Sequence, residues 1–199
     1  MTKHLLLVSG PQGSGKSTQA ERIAERYQLP LFKAGAQLRA YADSDKPGAA
    51  ELKAALIEGQ LAPHHYVDNL FLNFIEINAD RNGYITEGYP RSLDNWHIIE
   101  KVCTGQDIEV IGINITIPEE TTFERISKRV EVKNGEAQKR ADDSPEAIRE
   151  RLRIYHTQTQ PVLDRIKQDH RLFVIDGSPA MDSVSQAIFA ALDPILKRQ

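Results

Sequence analysis

An α/β fold, with a parallel sheet covered by helices, is what this sequence predicts, and three observations carry the prediction. Short apolar runs alternate along the chain with longer stretches of helical period, the pattern left by strands that are joined through helices lying on the sheet. A glycine-rich stretch, Gly10 to Thr18, sits between the first apolar run and the first helical one. The length, 199 residues, suits one compact domain with a substantial core and room for small insertions.

The elements follow in order. A first strand is expected at 4–9, where LLLV precedes Gly10, and a helix at 16–27 directly after the glycines. A second strand is expected at 31–33. Residues 34–63 then break the alternation, placing two short helices, the second at 49–58, around the turn formers Asp45, Pro47 and Gly48. A helix at 64–78 leads to the third strand, 83–87, which runs into Gly88, Tyr89, Pro90 and Arg91 before a helix at 92–101. The fourth strand is expected at 110–117 and a helix at 119–130. Residues 130–143, VEVKNGEAQKRADD, are polar and centred on Asn134 and Gly135, so they read as an excursion with a turn. One long helix at 145–170, a fifth strand at 172–176 and a helix at 181–197 complete the chain, with no internal repeat or low-complexity tract.

Composition excludes several classes of function. A formal net charge of -3 gives no basic field for nucleic acid or an anionic membrane, so any anion site must be local. The opening apolar run is too short for a signal-peptide core or a membrane span. Cys103 is the single cysteine, which leaves no internal disulfide and no cysteine-cluster zinc site. The expectation is a cytoplasmic, monomeric protein whose partners are small molecules.

The strongest chemical signal is GPQGSGKST, Gly10 to Thr18, which satisfies GxxxxGK[ST] after a strand and before a helix, the two context conditions of a P-loop. Gly10, Gly13 and Gly15 allow backbone geometry that turns successive N–H groups inward around phosphate oxygens. The helix start adds the positive end of its dipole. Lys16 discriminates, because a lysine at a helix N-terminus is electrostatically misplaced without an anion there. Ser17 supplies the hydroxyl suited to the magnesium that accompanies ATP. A turn that merely joins strand to helix would need none of these together.

A P-loop leaves the reaction open. No NKxD-type guanine reader stands in a suitable place. An alcohol acceptor calls for a carboxylate to take its proton, whereas a phosphate acceptor is already a nucleophilic anion and needs cations to suppress repulsion between polyanions. Arg39, Arg91, Arg125, Arg129, Arg140 and Arg151 could supply them. Each alone reads as a solvated surface residue, but their planar forks suit bidentate phosphate contact.

With these pieces the chain resembles the adenylate kinase family of nucleoside monophosphate kinases. GPQGSGKSTQ, KAGAQLR, GQLAP, EGYPR, ERISKRV, RADDSPEAIRERL and IDGS occur in the family's order. The resemblance implies a P-loop NTPase fold with a five-stranded parallel sheet and two mobile insertions. These are a flap at 34–63 closing on the acceptor and a short lid at 130–143 closing on ATP, around a core of 1–33, 64–129 and 144–199. It implies that Gly13, Ser14, Gly15, Lys16, Ser17 and Thr18 hold the ATP phosphates, with Arg125 and Pro179 against the adenine. Arg39 and Arg91 would grip the monophosphate, and Arg129, Arg140 and Arg151 would surround the transferring group. Ala34, Gly35, Gln60, Leu61, Ala62, Gly88, Tyr89, Pro90 and Asn95 would line the acceptor, and Ser17 with Glu87 would serve the magnesium. The Tyr89–Pro90 peptide would be cis.

Departures from the family's pattern are informative. Its usual aspartates are replaced by Ala36 and Glu87, which puts the metal environment in question and motivates an alternative, a nucleotide-binding sensor with weak turnover. Glu87 could also simply cap the turn after its strand. A P-loop kinase of a small hydroxyl metabolite is a further alternative. Ala34 and Asn95 stand where adenylate kinases carry threonine and glutamine, and the pair looks more like UMP/CMP kinases, so AMP and UMP/CMP both stay open as acceptors. His64 is expected to start a helix, Trp96 to pack, and Cys103 to be an inert, partly buried thiol.

Overall fold

Leu5, Leu6, Leu7 and Val8 are each at most 2% exposed, so β1 (Lys3–Ser9) has to be covered on both faces. It is the central strand of a five-stranded sheet in the order β2 (Leu31–Lys33), β3 (Gly83–Glu87), β1, β4 (Ile108–Thr116), β7 (Arg171–Asp176). Every pairing is parallel, and Leu6 lies between Ile85 of β3 and Ile111 of β4. The structure, a computed structural model, describes residues 2–128 and 143–196 and the backbone of 131–133 and 136–138.

Side chains of a strand alternate between faces, and β1 divides its leucines accordingly. Leu5 and Leu7 join Phe32, Phe71, Tyr84, Trp96, Ile99, Leu163 and Ile166 on one face. Here the sheet is covered by α4 (His64–Ile77), α5 (Leu93–Cys103) and α8 (Gln160–Asp169). Leu6 and Val8 join Ile23, Ile85, Ile113, Val184, Ile188 and Leu192 on the other, covered by α1 (Lys16–Tyr27) and α9 (Met181–Leu196). The predicted five strands and the helices around them are therefore present, within a few residues at their ends. Trp96 packs, at 1% exposure, edge-on to His170. Burial pushes the Cys103 thiol up to about 11, as suits an inert one. No described helix is long and apolar enough to cross a membrane.

Three elements differ from expectation. The long helix predicted at 145–170 is α7 (Pro145–Ile154), a π-helical turn (Tyr155–Thr159) and then α8. Pro161 has no N–H to continue the α ladder, and the Gln160 N–H reaches the Tyr155 carbonyl, five residues back, which widens the turn. The segment 34–63 does hold two helices, α2 (Ala34–Ala42) and α3 (Ala49–Ile57), but α2 follows β2 with no loop between them. Residues read only as a polar excursion include β5 (Glu131–Lys133) and β6 (Glu136–Gln138), which pair antiparallel with Val132 opposite Ala137. Between β4 and α7 runs α6 (Glu119–Ser127), whose Phe123 and Ile126 form a small cluster with Ile148 and Leu152 of α7.

The sheet order matters for function. The connection from β1 runs to β2 on one side and the connection from β3 crosses to β4 on the other, so a crevice opens beyond the C-terminal ends of β1 and β3. The glycine-rich stretch follows β1 there, and Gly88 to Arg91 follow β3 beside it.

Candidate active site

The cradle is built by backbone. Gly15 caps α1 in the left-handed region, at φ 84°, and the first turn of α1 carries no acid, so the helix start presents its N–H groups and Lys16 without an internal counter-charge in that turn. The Ser14 hydroxyl oxygen is buried with no partner, a polar atom that a bound anion's oxygen would satisfy. Lys16 Nζ donates to the Pro11 carbonyl at 3.2 Å, curling over the loop into a cavity of about 150 Å³ that Ser17 also lines. Thr18 is exposed and outside that lining.

On the far side of the loop, Arg125 donates to the carbonyls of Gly177 at 3.0 Å, Ser178 at 3.1 Å and, more weakly, Gly13 at 3.4 Å. A second cavity, of about 190 Å³, lies here between Gly13, Gly15, Arg125, Pro179 and Met181. The turn into it is fixed by Asp176, whose carboxylate accepts from the Ser178 N–H at 2.9 Å. Bonds from the Ser178 backbone and hydroxyl hold the Asp176 carboxyl below its ordinary range.

Opposite the cradle, the first cavity gathers Arg39, Arg91 and Arg151 with Lys16 and Glu87. Arg129 and Arg140 lie outside the described residues. Arg91 is anchored at three points: its Nε donates to the Gly88 carbonyl at 2.9 Å, its N–H donates to Asn95 Oδ1 at 3.2 Å, and its carbonyl accepts from the Thr159 hydroxyl at 3.0 Å. Burial lowers its guanidinium pKa from the ordinary value, attraction to Glu87 opposes that, and repulsion from Arg151 adds to it. A desolvated guanidinium that is also repelled by a second arginine makes a site whose electrostatics favour an anion beside it. Arg151 donates to the Leu56 carbonyl at 3.1 Å and lies 3.8 Å from Asp143, which accepts from the Gln12 amide at 3.0 Å. Arg39 folds back across Gly35, where an added Cβ would meet its Nη1 at 3.2 Å.

Glu87 is 6% exposed at the end of β3 and lines the same cavity as Ser17. The Gly88 N–H that follows it donates to the Val8 carbonyl of β1 at 3.2 Å, extending the pairing of the two strands. A serine hydroxyl and a carboxylate bordering one cavity are hard oxygen donors that fit a magnesium retaining several waters.

The acceptor wall departs in part from expectation. Gly35, Leu61, Ala62, Gly88, Tyr89 and Asn95 line the cavity, while Ala34 and Pro90 are buried behind it. The Tyr89–Pro90 peptide is cis. Gln60 borders the cavity but is exposed, and its amide is drawn outward to donate to Glu150 at 3.1 Å. Asn95 is 3% exposed and its amide is already bonded to Arg91 and to Asp68. Sequence reasoning missed Asp68 and the second role of His64. His64 does start α4, after Pro63, yet it also lines the cavity, with Nδ1 at 3.4 Å from the Ser92 hydroxyl and Nε2 at 3.2 Å from Asp94. The available signal was spacing: His64 and Asp68 stand one helical turn apart, beside the buried Val67 and Phe71.

Gly88 has φ 71°, and an added Cβ would sit 2.8 Å from Arg91 Nη2. Gly88→Ala is therefore expected to destabilise the fold by about 1–3 kcal/mol through left-handed strain alone and to displace the Arg91 fork. Urea unfolding checks the first effect. A midpoint unchanged from wild type would mean that the turn relaxes without strain.

A sequence model of the family described as Adenylate kinase matches residues 8–171 of the chain. Among similar proteins, an adenylate kinase of Bacteroides thetaiotaomicron is 31% identical over 192 residues, covering 96% of this chain and 98% of that protein. One from Methylorubrum extorquens is 33% identical over 190 residues, covering 94% and 95%. A third, from Fusobacterium nucleatum, is 32% identical over 207 aligned positions, covering 94% and 97%.

Proposed function

The chain belongs to the adenylate kinase family, a phosphotransferase family with a phosphate group as acceptor, and on that premise we propose how its own residues share the work. The reaction is transfer of the γ-phosphoryl of MgATP, in line, onto the phosphate of a nucleoside monophosphate, giving ADP and a nucleoside diphosphate. The observation that carries this reading is the meeting of Lys16, Arg39, Arg91 and Arg151 around one cavity at the end of β1 and β3. A hydroxyl acceptor would not need that many cations, whereas two polyanions brought to reacting distance do.

In this reading the P-loop N–H groups, Lys16 and the hydroxyls of Ser14, Ser17 and Thr18 hold the donor phosphates. Arg125 and Pro179 flank the adenine at the second cavity. Arg39 and Arg91 hold the acceptor phosphate, and Arg151 lies against the transferring group, joined by Arg129 and Arg140. Ser17, with Glu87 through a metal-bound water, would hold the magnesium, whose charge offsets that developing on the phosphate oxygens. The segments 34–63 and 130–143 close over the two nucleotides and exclude water, which would otherwise accept the phosphoryl group. Contacts from Leu56 and Gln60 to α7 support such a closure on the acceptor side. The names of the relatives favour AMP as acceptor, while Ala34 and Asn95 keep UMP and CMP in play.

An acceptor panel tests the proposal. Purified protein with MgATP should convert at least one of AMP, CMP, UMP or their deoxy forms into its diphosphate, with one ATP consumed per acceptor phosphorylated. ATP binding without turnover of any of them would instead support a nucleotide sensor. A hydroxyl metabolite outperforming every monophosphate would move the enzyme to another reaction.

A further inference from the structure

The orientation of one buried amide, set by a residue behind the cavity wall, bears on which acceptor base the site takes. Asn95 stands in the first turn of α5 and borders the acceptor cavity. Its Oδ1 accepts from the Arg91 N–H at 3.2 Å, and its Nδ2 donates to Asp68 Oδ1 at 2.8 Å. Oxygen and nitrogen cannot be exchanged in this arrangement: a backbone N–H only donates, and a carboxylate only accepts. Asp68 is itself fixed, since the same Oδ1 accepts from the Tyr89 hydroxyl at 2.8 Å. Burial raises the Tyr89 pKa, keeping that hydroxyl a donor. The second Nδ2 hydrogen is on the side of His64 Nδ1, 3.5 Å away, which also lies near the Ser92 hydroxyl.

Both ends of the amide NH2 group are therefore turned toward protein. Oδ1 has a second lone pair, so what Asn95 can offer a ligand in the cavity is an acceptor and not a donor. An acceptor matches an exocyclic amine, the 6-amino group of adenine or the 4-amino group of cytosine. It meets the 6-keto oxygen of hypoxanthine or the 4-keto oxygen of uracil lone pair to lone pair.

We infer that Asp68 is a positioning residue that holds the Asn95 amide with its oxygen available to the acceptor, so that the site selects monophosphates of amino-substituted bases over their keto counterparts. This rests on the kinase reading above and narrows it: AMP over IMP, and CMP over UMP. Asp68 does not line the cavity, so its action passes through Asn95.

The test is kcat/KM for AMP, IMP, CMP and UMP at saturating MgATP, with wild type, Asp68→Leu and Asp68→Asn. Wild type should favour the amino member of each pair that it turns over by about tenfold or more, since a site that hydrogen-bonds its substrate penalises the unmatched analogue. Asp68→Leu removes the carboxylate that fixes Nδ2, leaves the amide held only by the 3.2 Å bond from the Arg91 N–H, and should bring the ratio to within about threefold, with the KM for ATP unchanged. Asp68→Asn keeps an oxygen for both the Tyr89 and the Asn95 donors and should keep the ratio, a rescue that a purely structural role would not tie to base identity. Equal use of amino and keto acceptors by wild type, or an undiminished ratio in Asp68→Leu, would overturn the inference while leaving the kinase reading intact. Turnover of none of the four would remove the kinase reading and this inference with it. Should Asp68→Leu fail to fold, the wild-type ratio and its retention in Asp68→Asn decide the matter.

Discussion

Arg91→Ala is expected to raise the KM for the monophosphate by about a hundredfold or more while ATP affinity stays within about twofold. Two charge-assisted bonds from one guanidinium fork to one phosphate contribute roughly 3–6 kcal/mol together, and each 1.4 kcal/mol is a factor of ten. The asymmetry between substrates follows from placement. Arg91 lies just beyond the end of β3, tied to Gly88 and Asn95, and the start of α1, proposed to hold ATP, borders the same cavity. Arg91→Lys should recover little, because a point charge lacks the fork and the bond to the Gly88 carbonyl fixes a guanidinium geometry. Separate titrations of the two nucleotides check this. Equal loss of affinity for both would reassign Arg91 to the donor side or to the transferring group.

Lys16→Ala is expected to act mainly on the chemical step, lowering kcat by about 10²–10³ or more. In the proposed reaction its ammonium would stand where charge builds on the donor oxygens as the bond to the leaving group stretches, an interaction stronger in the transition state than in bound ATP. Single-turnover measurements with both substrates saturating separate this from a loss of binding. A kcat within tenfold of wild type would remove Lys16 from the charge-stabilising role. The two variants thus differ in kind, one read in acceptor KM and the other in kcat.

What could be read in advance was what is local in the chain. The run from Leu5 to Val8, the glycines after it and the lysine that opens α1 are contiguous, so their pattern dictates strand, turn and helix start together. Gly88 to Arg91 were legible for the same reason. Failures came where the deciding partner is remote. Asp68 and Asn95 are 27 positions apart on different helices, and neither residue alone signals the bond. Gln60 borders the cavity, but its bond to Glu150, 90 positions away, leaves no local mark in the sequence. The strands at 131–133 and 136–138, EVK and EAQ, carry too little apolar alternation to be read. The π-helical turn escaped because Pro161 is also a normal first-turn residue of a helix, and periodicity cannot tell a new helix from a widened old one.

That widened turn has a consequence for how the molecule can vary. Each residue advances an α-helix by about 100°, so the extra residue held in the turn resets the angular phase between the two helices that it joins. The α7 segment can then bring Arg151 to the first cavity and rest Ile148 and Leu152 on α6, while α8 keeps Val162, Leu163 and Ile166 against the sheet. Winding the same residues at a uniform α pitch, without the widened turn, would force a choice: either the arginine swings away from the crevice, or three core side chains rotate out of the sheet contact. The phase of this segment ties the packing of the fold's interior to where Arg151 stands in the crevice.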